Sequence, residues 1–531
     1  MKVFEDFYSG RDWETGVNHS FITLIPKKTS PLGLDDYRPI SLVGGIYKII
    51  SNVLSRRLRP NMQTVVSKSQ FAFILGRSIL ECVLIANEGI DYMNKLGAAG
   101  SVFKIDFKRA YDSVDWAFLL RVIKEMGFGD LWCQWILRCI STASISVLVN
   151  GSPTKSFTLS RGLRQGCSLS PLLFNLVGEA LHLMLDKAIL VGLFNGFLIG
   201  RGSNAYMLSH LQYADDLIIF CGACLGELLN VKRVLRVFEI ASGLQLNLSK
   251  SRLFGVNKET KTVTVWASRV GCTIGHFPSE YLGLPLGPKR NSAILWEPVL
   301  EKFLKALSAW KVNCLSFSGR LVLIKSVLAS LPIYYMSIFQ IPSEVVKKMN
   351  NIMENFLWGA SVSQRKIHWV KWSDVCLPFD KGGLNIRNLT IQNRAQLGKW
   401  FWNFANSRNS EWRKILCCKL NWDEKSMFPV DSNHRLMSWV WKGTSNTFMK
   451  NDDVGNVLRD QIDIQVGDGA RVRFWSDLWI GDAPLMVNFP RIYALSQNRT
   501  GTVADFGIIS DGCWVWQIQL RREPFDWEKG Q

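Results

Sequence analysis

The chain of 531 residues is 47% hydrophobic and 20% charged, with a mean hydropathy of +0.07. This composition excludes an intrinsically disordered protein, and the length predicts two or three folded domains. Lys and Arg outnumber Asp and Glu by 63 to 44, giving a net charge of +19, which favours a polyanionic partner because phosphate neutralisation releases counterions. From charge alone, a basic protein without such a partner remains the alternative.

The first part of the chain alternates predicted strands and helices. The apolar run Phe21–Pro26 predicts a short strand. Ile40–Leu58 carries apolar residues at helical spacing and predicts a helix that stops before Pro60. Val102–Phe107 is apolar on both faces, which is typical of a central buried strand. The next predicted helix covers Trp116–Met126 and is capped by a Ser or Asp just before it.

Further along the chain, residues 144–150 and 154–159 flank a turn that contains Asn150-Gly151, and this pattern predicts a hairpin. Helices are predicted from Ser170 through Leu183 and over Glu227–Ala241. This order of strands and helices is typical of a split βαβ sheet in an α+β fold. Beyond about residue 290 the pattern changes to amphipathic helices, and from about residue 400 tryptophan is frequent and periodicity is weak.

The tetrapeptide Tyr213-Ala214-Asp215-Asp216 lies between two largely apolar stretches, Tyr206–Leu211 and Leu217–Phe220. Two adjacent carboxylates at the tip of a buried hairpin are costly to desolvate, and neither ionises readily beside the other. A divalent cation would compensate both charges, but two carboxylates are too few ligands to hold one. A further acid is therefore expected at the end of another strand.

Asp106, which lies at the end of the predicted central strand, is the candidate for that third acid. If its strand lies beside the hairpin in one antiparallel sheet, Asp106 comes close to Asp215 and Asp216. Oxygen ligands without Cys or His favour Mg²⁺ or Mn²⁺ over zinc. Two such ions could activate a hydroxyl nucleophile and stabilise a departing phosphate oxygen. An acidic turn and an unrelated helix cap would be the simpler interpretation of either fragment alone.

The N-terminus lacks the charged-then-apolar layout of a signal peptide. The most apolar long window, residues 321–342, is interrupted by Lys325 and Pro332, which favours a buried helix over a membrane span. We therefore expect a soluble, intracellular protein with no membrane segment.

The sequence contains eight short blocks in a fixed order. The blocks are 21–28 (FITLIPKK), 37–42 (YRPISL), 70–77 (QFAF and GR), 104–112 (KIDFKRAYD), 161–166 (RGLRQG), 213–216 (YADD), 243–251 (GLQLNLSKS) and 281–285 (YLGLP). A chain with these blocks resembles the reverse transcriptases of LINE-type (non-long-terminal-repeat) retrotransposons, particularly those of plants. Each block alone is weak, but eight in order are specific.

The resemblance implies a right-hand polymerase with fingers, a split βαβ palm and a helical thumb. It implies that Lys28 and Arg38 hold the triphosphate of the incoming nucleotide, where an Arg fork suits phosphate. Tyr111 is expected under the sugar, where its ring would exclude a 2′-hydroxyl. Gln165 and Gly166 are expected where the backbone closely approaches nucleotide and template. Exposed basic loops and ordinary core packing are the alternatives for these residues.

The resemblance implies roles for three further positions. Lys250 is a candidate proton donor to the leaving pyrophosphate, with a solvated cation as the alternative. Leu282 and Gly283 fall in the block that grips the primer. The expected domains are fingers and palm over residues 1–285, thumb and connection over 286–400, and a Trp-rich C-terminal region of unknown role over 401–531.

The function implied is RNA-directed DNA synthesis with two Mg²⁺ (or Mn²⁺) ions, an RNA template, a DNA primer and dNTPs. Asp106, Asp215 and Asp216 would be the metal ligands. The chain is expected to lack the endonuclease and ribonuclease H regions of such elements, so that a separate endonuclease would nick the target, and a nuclear location is expected from how they insert. An inactive remnant that binds RNA is the main alternative, and an RNA-folding partner like the intron maturases is a less favoured one.

Overall fold

The computed structural model describes residues 2–11, 16–202, 205–309, 315–359, 367–424, 426–429, 435–449, 452, 455–457, 461–510, 513–523 and 525. The chain divides into two compact units. The first unit comprises Met1–Ile199 and Ala205–Gly287, and the second comprises Gly200–Asn204 and Pro288–Gln531.

Strands occur mainly in the first unit. They are β1 (His19–Pro26), β2 (Tyr37–Val43), β3 (Gly100–Ile105), β4 (Phe107–Lys108), β5 (Ser144–Val149), β6 (Ser152–Pro153), β7 (Phe157–Thr158), β8 (Phe197–Ile199), β9 (Tyr206–Leu208), β10 (His210–Tyr213), β11 (Asp216–Gly222), β12 (Gln245–Leu246), β13 (Arg252–Val256), β14 (Thr273–Ile274), β15 (Ser279–Tyr281), β16 (Leu284–Leu286), β17 (Gly507–Ser510) and β18 (Cys513–Trp516).

Helices occur in both units. The first unit contains α1 (Lys2–Tyr8), α2 (Gly45–Leu58), α3 (Met62–Val65), α4 (Ile79–Leu96), α5 (Ala110–Ser113), α6 (Trp116–Glu125), α7 (Asp130–Ser141), α8 (Ser170–Leu190), α9 (Leu225–Ser242) and α10 (Thr260–Val270). The second unit contains α11 (Glu297–Ala309), α12 (Phe317–Leu323), α13 (Ile333–Met336), α14 (Ser343–Trp358), α15 (Trp372–Val375), α16 (Leu389–Asn406), α17 (Glu411–Leu420), α18 (Trp439–Met449), α19 (Leu485–Asn488) and α20 (Pro490–Leu495). Among the described residues, no helix is long and apolar enough to cross a membrane.

The central sheet of the first unit has the strand order β10-β11-β3-β13-β14. Its first four strands are antiparallel neighbours, and β14 adds parallel to β13. Strand β3 lies in the middle and is buried along almost its whole length, so its apolar side chains pack on both faces of the sheet. Helices α4, α9 and α10 pack against this sheet. The predicted α+β fold with a split βαβ sheet is confirmed.

A second sheet has the order β2-β1-β5-β6, with β7 also paired to β5. Strand β1 pairs antiparallel with β2 and parallel with β5. The prediction that Ile40–Leu58 is one continuous helix was wrong, because residues 40–43 belong to β2 and helix α2 begins at Gly45. Pairing with β1 satisfies the backbone groups of this apolar segment, and Gly44-Gly45 separates strand from helix.

Other sequence boundaries shifted by a few residues. The strand predicted over Val102–Phe107 ends at Ile105, which leaves Asp106 just beyond the last ladder pair. Helix α6 is capped by Asp115, whose carboxylate accepts a hydrogen bond from the backbone N–H of Phe118 at 2.8 Å. The helix predicted to end at Leu183 runs on to Leu190.

The second unit is mainly helical. Several of its tryptophans are core residues and others are exposed: Trp400 and Trp412 contact edge to face at 5.0 Å, and Trp441 is fully buried nearby. A separate small core near the C-terminus contains Phe474, Trp475 and neighbouring apolar residues. Packing therefore explains the buried tryptophans of this region, but not the exposed ones.

Candidate active site

The paired acids lie at a two-residue turn between β10 and β11, with Asp215 in the turn and Asp216 at the start of β11. Tyr213 pairs with Asp216 across the ladder, so Ala214 and Asp215 form the tip. Ala214 has φ of 54°, a left-handed conformation that is unfavourable for a residue with a Cβ atom. The backbone N–H of Ala214 donates to Oε1 of buried Gln70 at 3.0 Å, and this hydrogen bond holds the turn in place.

Asp106 reaches the same edge of the sheet from the neighbouring strand. The last ladder pair between β3 and β11 joins Ile105 to Leu217, so the antiparallel register sets the next residue, Asp106, opposite Asp216. Nδ2 of Asn247 donates to Oδ2 of Asp106 at 2.8 Å, and Oγ of Ser251 accepts from the Asp106 backbone N–H at 3.1 Å. These contacts fix the orientation of the Asp106 carboxylate.

Burial and like charge raise the pKa of both aspartates in the turn. Desolvation is the largest cause for Asp215; the Asp106 carboxylate raises its pKa further, and the Arg38 guanidinium opposes the shift. Asp215 is exposed at the tip, so bulk water limits this effect. Desolvation, followed by the charges of Asp215 and Asp106, raises the pKa of Asp216 to about 6, while Lys104 opposes the rise. The Asp106 carboxylate therefore disfavours the ionised forms of Asp215 and Asp216, and Asp215 disfavours that of Asp216.

The donor set and its electrostatics fit a divalent cation. All ligand atoms supplied by Asp106, Asp215 and Asp216 are carboxylate oxygens, which suit Mg²⁺ or Mn²⁺. A cation at this edge would also lower the raised pKa values, because it favours the ionised carboxylates. The three side chains are less tightly grouped than a closed metal cage. In the described part of the chain, a different set of His and Asp side chains has its ligand atoms within 4.8 Å of one another.

That other group consists of His182, Asp186 and His210. His182 Nδ1 and His210 Nε2 are 2.9 Å apart, and His182 Nε2 lies 3.2 Å from the Asp186 carboxylate. Burial, and then the charge of His182, lower the pKa of His210 to about 3, so this ring is neutral. The network anchors the start of β10 to helix α8, four residues before the turn begins at Ala214.

Tyr111 lies beside the acids. Its ring stacks on Phe174 with centroids 4.6 Å apart, and burial followed by the charge of Asp215 raises the pKa of its hydroxyl. The neighbouring Asp112 accepts a hydrogen bond from Nε2 of Gln165 at 3.3 Å, which ties the 161–166 block to the segment after Asp106.

Gly166 is held where a side chain would not fit. It has φ of 106°, and an added Cβ atom would lie 2.7 Å from the carbonyl oxygen of Ser41. The Ser41 N–H donates to the Gln165 carbonyl at 2.7 Å, so this segment packs directly against β2. The absence of a side chain is thus required by the contact between backbone segments.

The two predicted triphosphate ligands differ in their surroundings. Lys28 forms an ion pair with Asp36 at 2.8 Å, and the hydrogen bond from Lys28 is the main cause that lowers the pKa of Asp36 to about 2. Arg38 is exposed and lies close enough to Asp215 to act on its charge. Asp35, in the same loop, forms an ion pair with Arg109, three residues after Asp106. No local pattern indicated that Asp35 and Asp36 would pair with basic residues of the site.

Lys250 is exposed, and its backbone N–H donates to the Asn247 carbonyl at 3.1 Å. Within the described residues, its ammonium forms no ion pair with any of the three acids. The structure therefore does not bring this predicted proton donor into contact with them.

The predicted primer-grip residues Leu282 and Gly283 form the turn of the β15–β16 hairpin. Both have positive φ, 51° and 77°, and such a conformation is unfavourable for Leu. Tyr281, just before the turn, is fully buried with its hydroxyl 3.3 Å from the Cys82 sulfur. Lys104 Nζ donates to the Glu280 carbonyl at 2.9 Å, so the hairpin is linked to the strand that precedes Asp106.

Residues that support the site were harder to find from sequence. Asn247 and Gln70 lie within recognised blocks, but nothing local indicated that they contact Asp106 and Ala214. Asn87, in helix α4, was missed: it donates to the Pro285 carbonyl at 3.1 Å and accepts from the Gly287 N–H at 2.9 Å. A buried polar residue in an otherwise apolar helix was the available signal.

The first-unit geometry agrees with a family match. Residues 25–286 match the model of the reverse transcriptase (RNA-dependent DNA polymerase) family. These residues are a reverse transcriptase domain. The reverse transcriptase family uses divalent metal ions.

Curated relatives resemble this chain over parts of their length. An Arabidopsis thaliana protein named for ribonuclease H is 33% identical over 38% of this chain and 32% of its own. The transposon TX1 149 kDa protein of Xenopus laevis is 26% identical over 72% of this chain and 28% of its own. The R2DM Pol polyprotein of Drosophila melanogaster is 24% identical over 51% and 24%, respectively. The chain thus spans a third or less of these relatives.

Among solved structures, apo telomerase from Candida tropicalis is similar at a TM-score of 0.40 and 12% identity. The similarity covers 86% of this chain and 72% of that one.

Proposed function

We propose that this chain is an RNA-directed DNA polymerase that adds dNTPs to a primer 3′-hydroxyl on an RNA template. The observation that carries the proposal is the strand register that sets Asp106 opposite Asp216, beside the Asp215 turn. This brings three carboxylates to one edge of a sheet within a reverse transcriptase domain. An all-oxygen acidic edge of this kind suits phosphoryl transfer.

Asp106, Asp215 and Asp216 would hold two Mg²⁺ or Mn²⁺ ions, which when bound would favour the ionised primer hydroxyl and neutralise the charge of departing pyrophosphate. The role of the protein is to keep these acids in position. Asn247 orients the Asp106 carboxylate, and Gln70 holds the turn that carries Asp215. Such preorganisation provides most of the rate acceleration in phosphoryl transfer.

The surrounding residues suit a nucleotide in that position. Arg38 is exposed near Asp215 and presents a guanidinium fork to the triphosphate. Lys28 joins it only after leaving its ion pair with Asp36. Tyr111 is braced by Phe174 and would face the sugar, and Gly166 lets backbone approach the nucleotide. Lys250 would reach pyrophosphate only in the bound complex.

Regions outside the acidic edge also have proposed roles. The hairpin turn at Leu282 and Gly283 would contact the primer, and the helices from residue 286 to 400 would form thumb and connection. RNA template and DNA primer are the macromolecular partners, and nuclear action follows from a retrotransposon role.

Primer extension tests this function. The purified chain should extend a DNA primer on an RNA template with dNTPs and Mg²⁺, and Asp215→Asn should reduce the rate at least about a thousandfold. RNA binding should persist in this variant, and the exposed Asp482→Asn should match the wild type. A wild-type chain that binds RNA without extending the primer would instead support the inactive remnant. Extension that survives Asp215→Asn would exclude the carboxylate mechanism.

A further inference from the structure

The second unit contains a cavity of about 290 Å³ that is separate from the acidic edge. It is formed where helix α17 meets the segment that follows Gly467-Asp468-Gly469. Four cationic side chains and one carboxylate are among its lining residues, which include Arg408, Asn409, Arg413, Lys414, Glu424 and Arg471. A bound anion would stabilise this concentration of positive charge around one cavity.

Arg413 forms the inner wall of this cavity. Only 2% of the residue is exposed, and its guanidinium lies 4.5 Å from the centre of the Phe404 ring. Its Nη2 atom donates to the carbonyls of Glu424 and Ser426, both at 2.7 Å, which fixes the plane of the group. Its buried Nε has no hydrogen-bond partner in the described structure. A rigid, buried guanidinium thus keeps one donor unsatisfied.

Arg471 enters the cavity from the other segment. Its Nε and Nη2 atoms are both buried without hydrogen-bond partners among the described residues. Burial, followed by the charges of Arg413 and Arg408, lowers the pKa of Arg471 to about 10. The two arginines therefore lie close enough to repel, and both retain donors that an anion could satisfy.

The acids near the cavity do not satisfy those donors. Glu424 lies in an exposed position and reaches Arg413 through its backbone carbonyl. Glu411 pairs with Lys414 at 3.3 Å, and the Asp468 carboxylate accepts from the Ala470 backbone N–H at 3.1 Å. Nearby acids offset part of the positive charge, but the buried Nε atoms of both arginines have no hydrogen-bond partner among the described residues, and a ligand could supply one.

We propose that this arginine cavity, lined by Arg408, Arg413 and Arg471, binds a phosphate group. Guanidinium forks match the paired oxygens of phosphate, and a fixed, partly desolvated fork binds it more strongly than an exposed lysine. The phosphate comes from the backbone of a nucleic acid or from a small phosphate ion. The cavity would give the C-terminal region a binding role independent of the acidic edge.

The test compares Arg471→Gln with Arg387→Gln, a control that removes the same charge from an exposed site in the same unit. One arm measures the thermal stability of the full chain with inorganic phosphate, against chloride at equal ionic strength. The other measures binding of a labelled single-stranded RNA over a range of salt concentrations. Arg471→Lys, which keeps the charge and loses the fork, completes the series.

We expect phosphate to raise the melting temperature of the wild type and of Arg387→Gln, but not of Arg471→Gln. If the ligand is a backbone phosphate, Arg471→Gln also weakens RNA binding about tenfold and makes the salt slope shallower by about one. If RNA binding is unchanged while the phosphate response is lost, the ligand is a free phosphate ion. If neither response depends on Arg471, or the control loses as much, the proposal is wrong.

A folding defect would not obscure this result. Arg471 and Arg408 are less buried than Arg413, so the variants leave the inner guanidinium in place. Circular dichroism and the melting temperature without phosphate check that each variant is folded. Arg408→Gln provides a second, independent loss of the same response.

Discussion

The amide of Asn247 donates a hydrogen bond to the Asp106 carboxylate at 2.8 Å, and the backbones of the same two residues are joined by a second bond of 2.8 Å. Replacing Asn247 by Ala leaves the acid free to rotate. We expect the rate of primer extension to fall about tenfold to a hundredfold, because misoriented ligands lower activity by that amount. Steady-state kinetics should place the loss in kcat.

The matched control is Gln245→Ala, which changes an exposed residue in the same segment and should leave kcat unchanged. Equal rates for Asn247→Ala and the wild type would show that Asp106 needs no such support.

Gln70 provides a second support, for the turn. Its Oε1 accepts from the N–H groups of Ala72 and Ala214, both at 3.0 Å. Gln70→Ala leaves two donors without this acceptor, so we expect a loss of about 2–4 kcal/mol in stability and a lower rate of extension. Denaturant unfolding of Gln70→Ala and of the exposed control Gln63→Ala measures the difference. Similar midpoints would contradict this role.

Gly166 tests the close approach of two backbone segments. An alanine there would place Cβ 2.7 Å from the Ser41 carbonyl oxygen at a φ of 106°. We expect Gly166→Ala to destabilise the protein by about 2–4 kcal/mol. Gly45→Ala, in a helix with open space around it, should be neutral or slightly stabilising. A tolerated Gly166→Ala in the same unfolding assay would refute the steric argument.

The raised pKa of Asp216 makes stability depend on pH. The folded-state pKa of about 6 exceeds the unfolded value near 3.8, so the ionised carboxylate destabilises the metal-free fold increasingly from pH 4 to 6. Without divalent ions, Asp216→Asn should therefore stabilise the protein by about 1 kcal/mol above pH 6, after allowing for solvent screening. In the separate assay with Mg²⁺, the same variant should abolish extension. The gain should vanish near pH 4. The exposed Asp482→Asn should show no such pH-dependent gain.

His210 should act in the opposite direction. Its folded-state pKa of about 3 lies below the unfolded value near 6.5, so its stabilisation is present above pH 6.5 and is lost as pH falls. Between pH 7 and pH 5 we expect His210 to contribute a loss of about 2 kcal/mol. His210→Gln should flatten this slope, whereas the exposed His276→Gln should leave it intact. Identical slopes would rule out a buried neutral ring.

Local patterns predicted much of the first unit, because alternating and helical periodicities describe how a segment meets its core. The cap at Asp115 and the acids of the YADD turn were accessible for this reason. The boundary inside 40–58 was not, since the apolar pattern of β2 continues into α2 and only pairing with β1 separates them. Long-range contacts were also inaccessible, as between Gln70 and Ala214 or between Arg413 and Arg471.

The charges of the acidic edge affect which substitutions would stabilise a copy of this chain whose chemistry is no longer under selection. Asp216 destabilises the metal-free fold, and like-charge repulsion extends to Asp215 and Asp106. A copy released from selection on its chemistry would therefore gain stability when it lost the Asp216 carboxylate. Under the proposed function, retention of Asp216 would reflect selection on DNA synthesis and not on the stability of the metal-free fold.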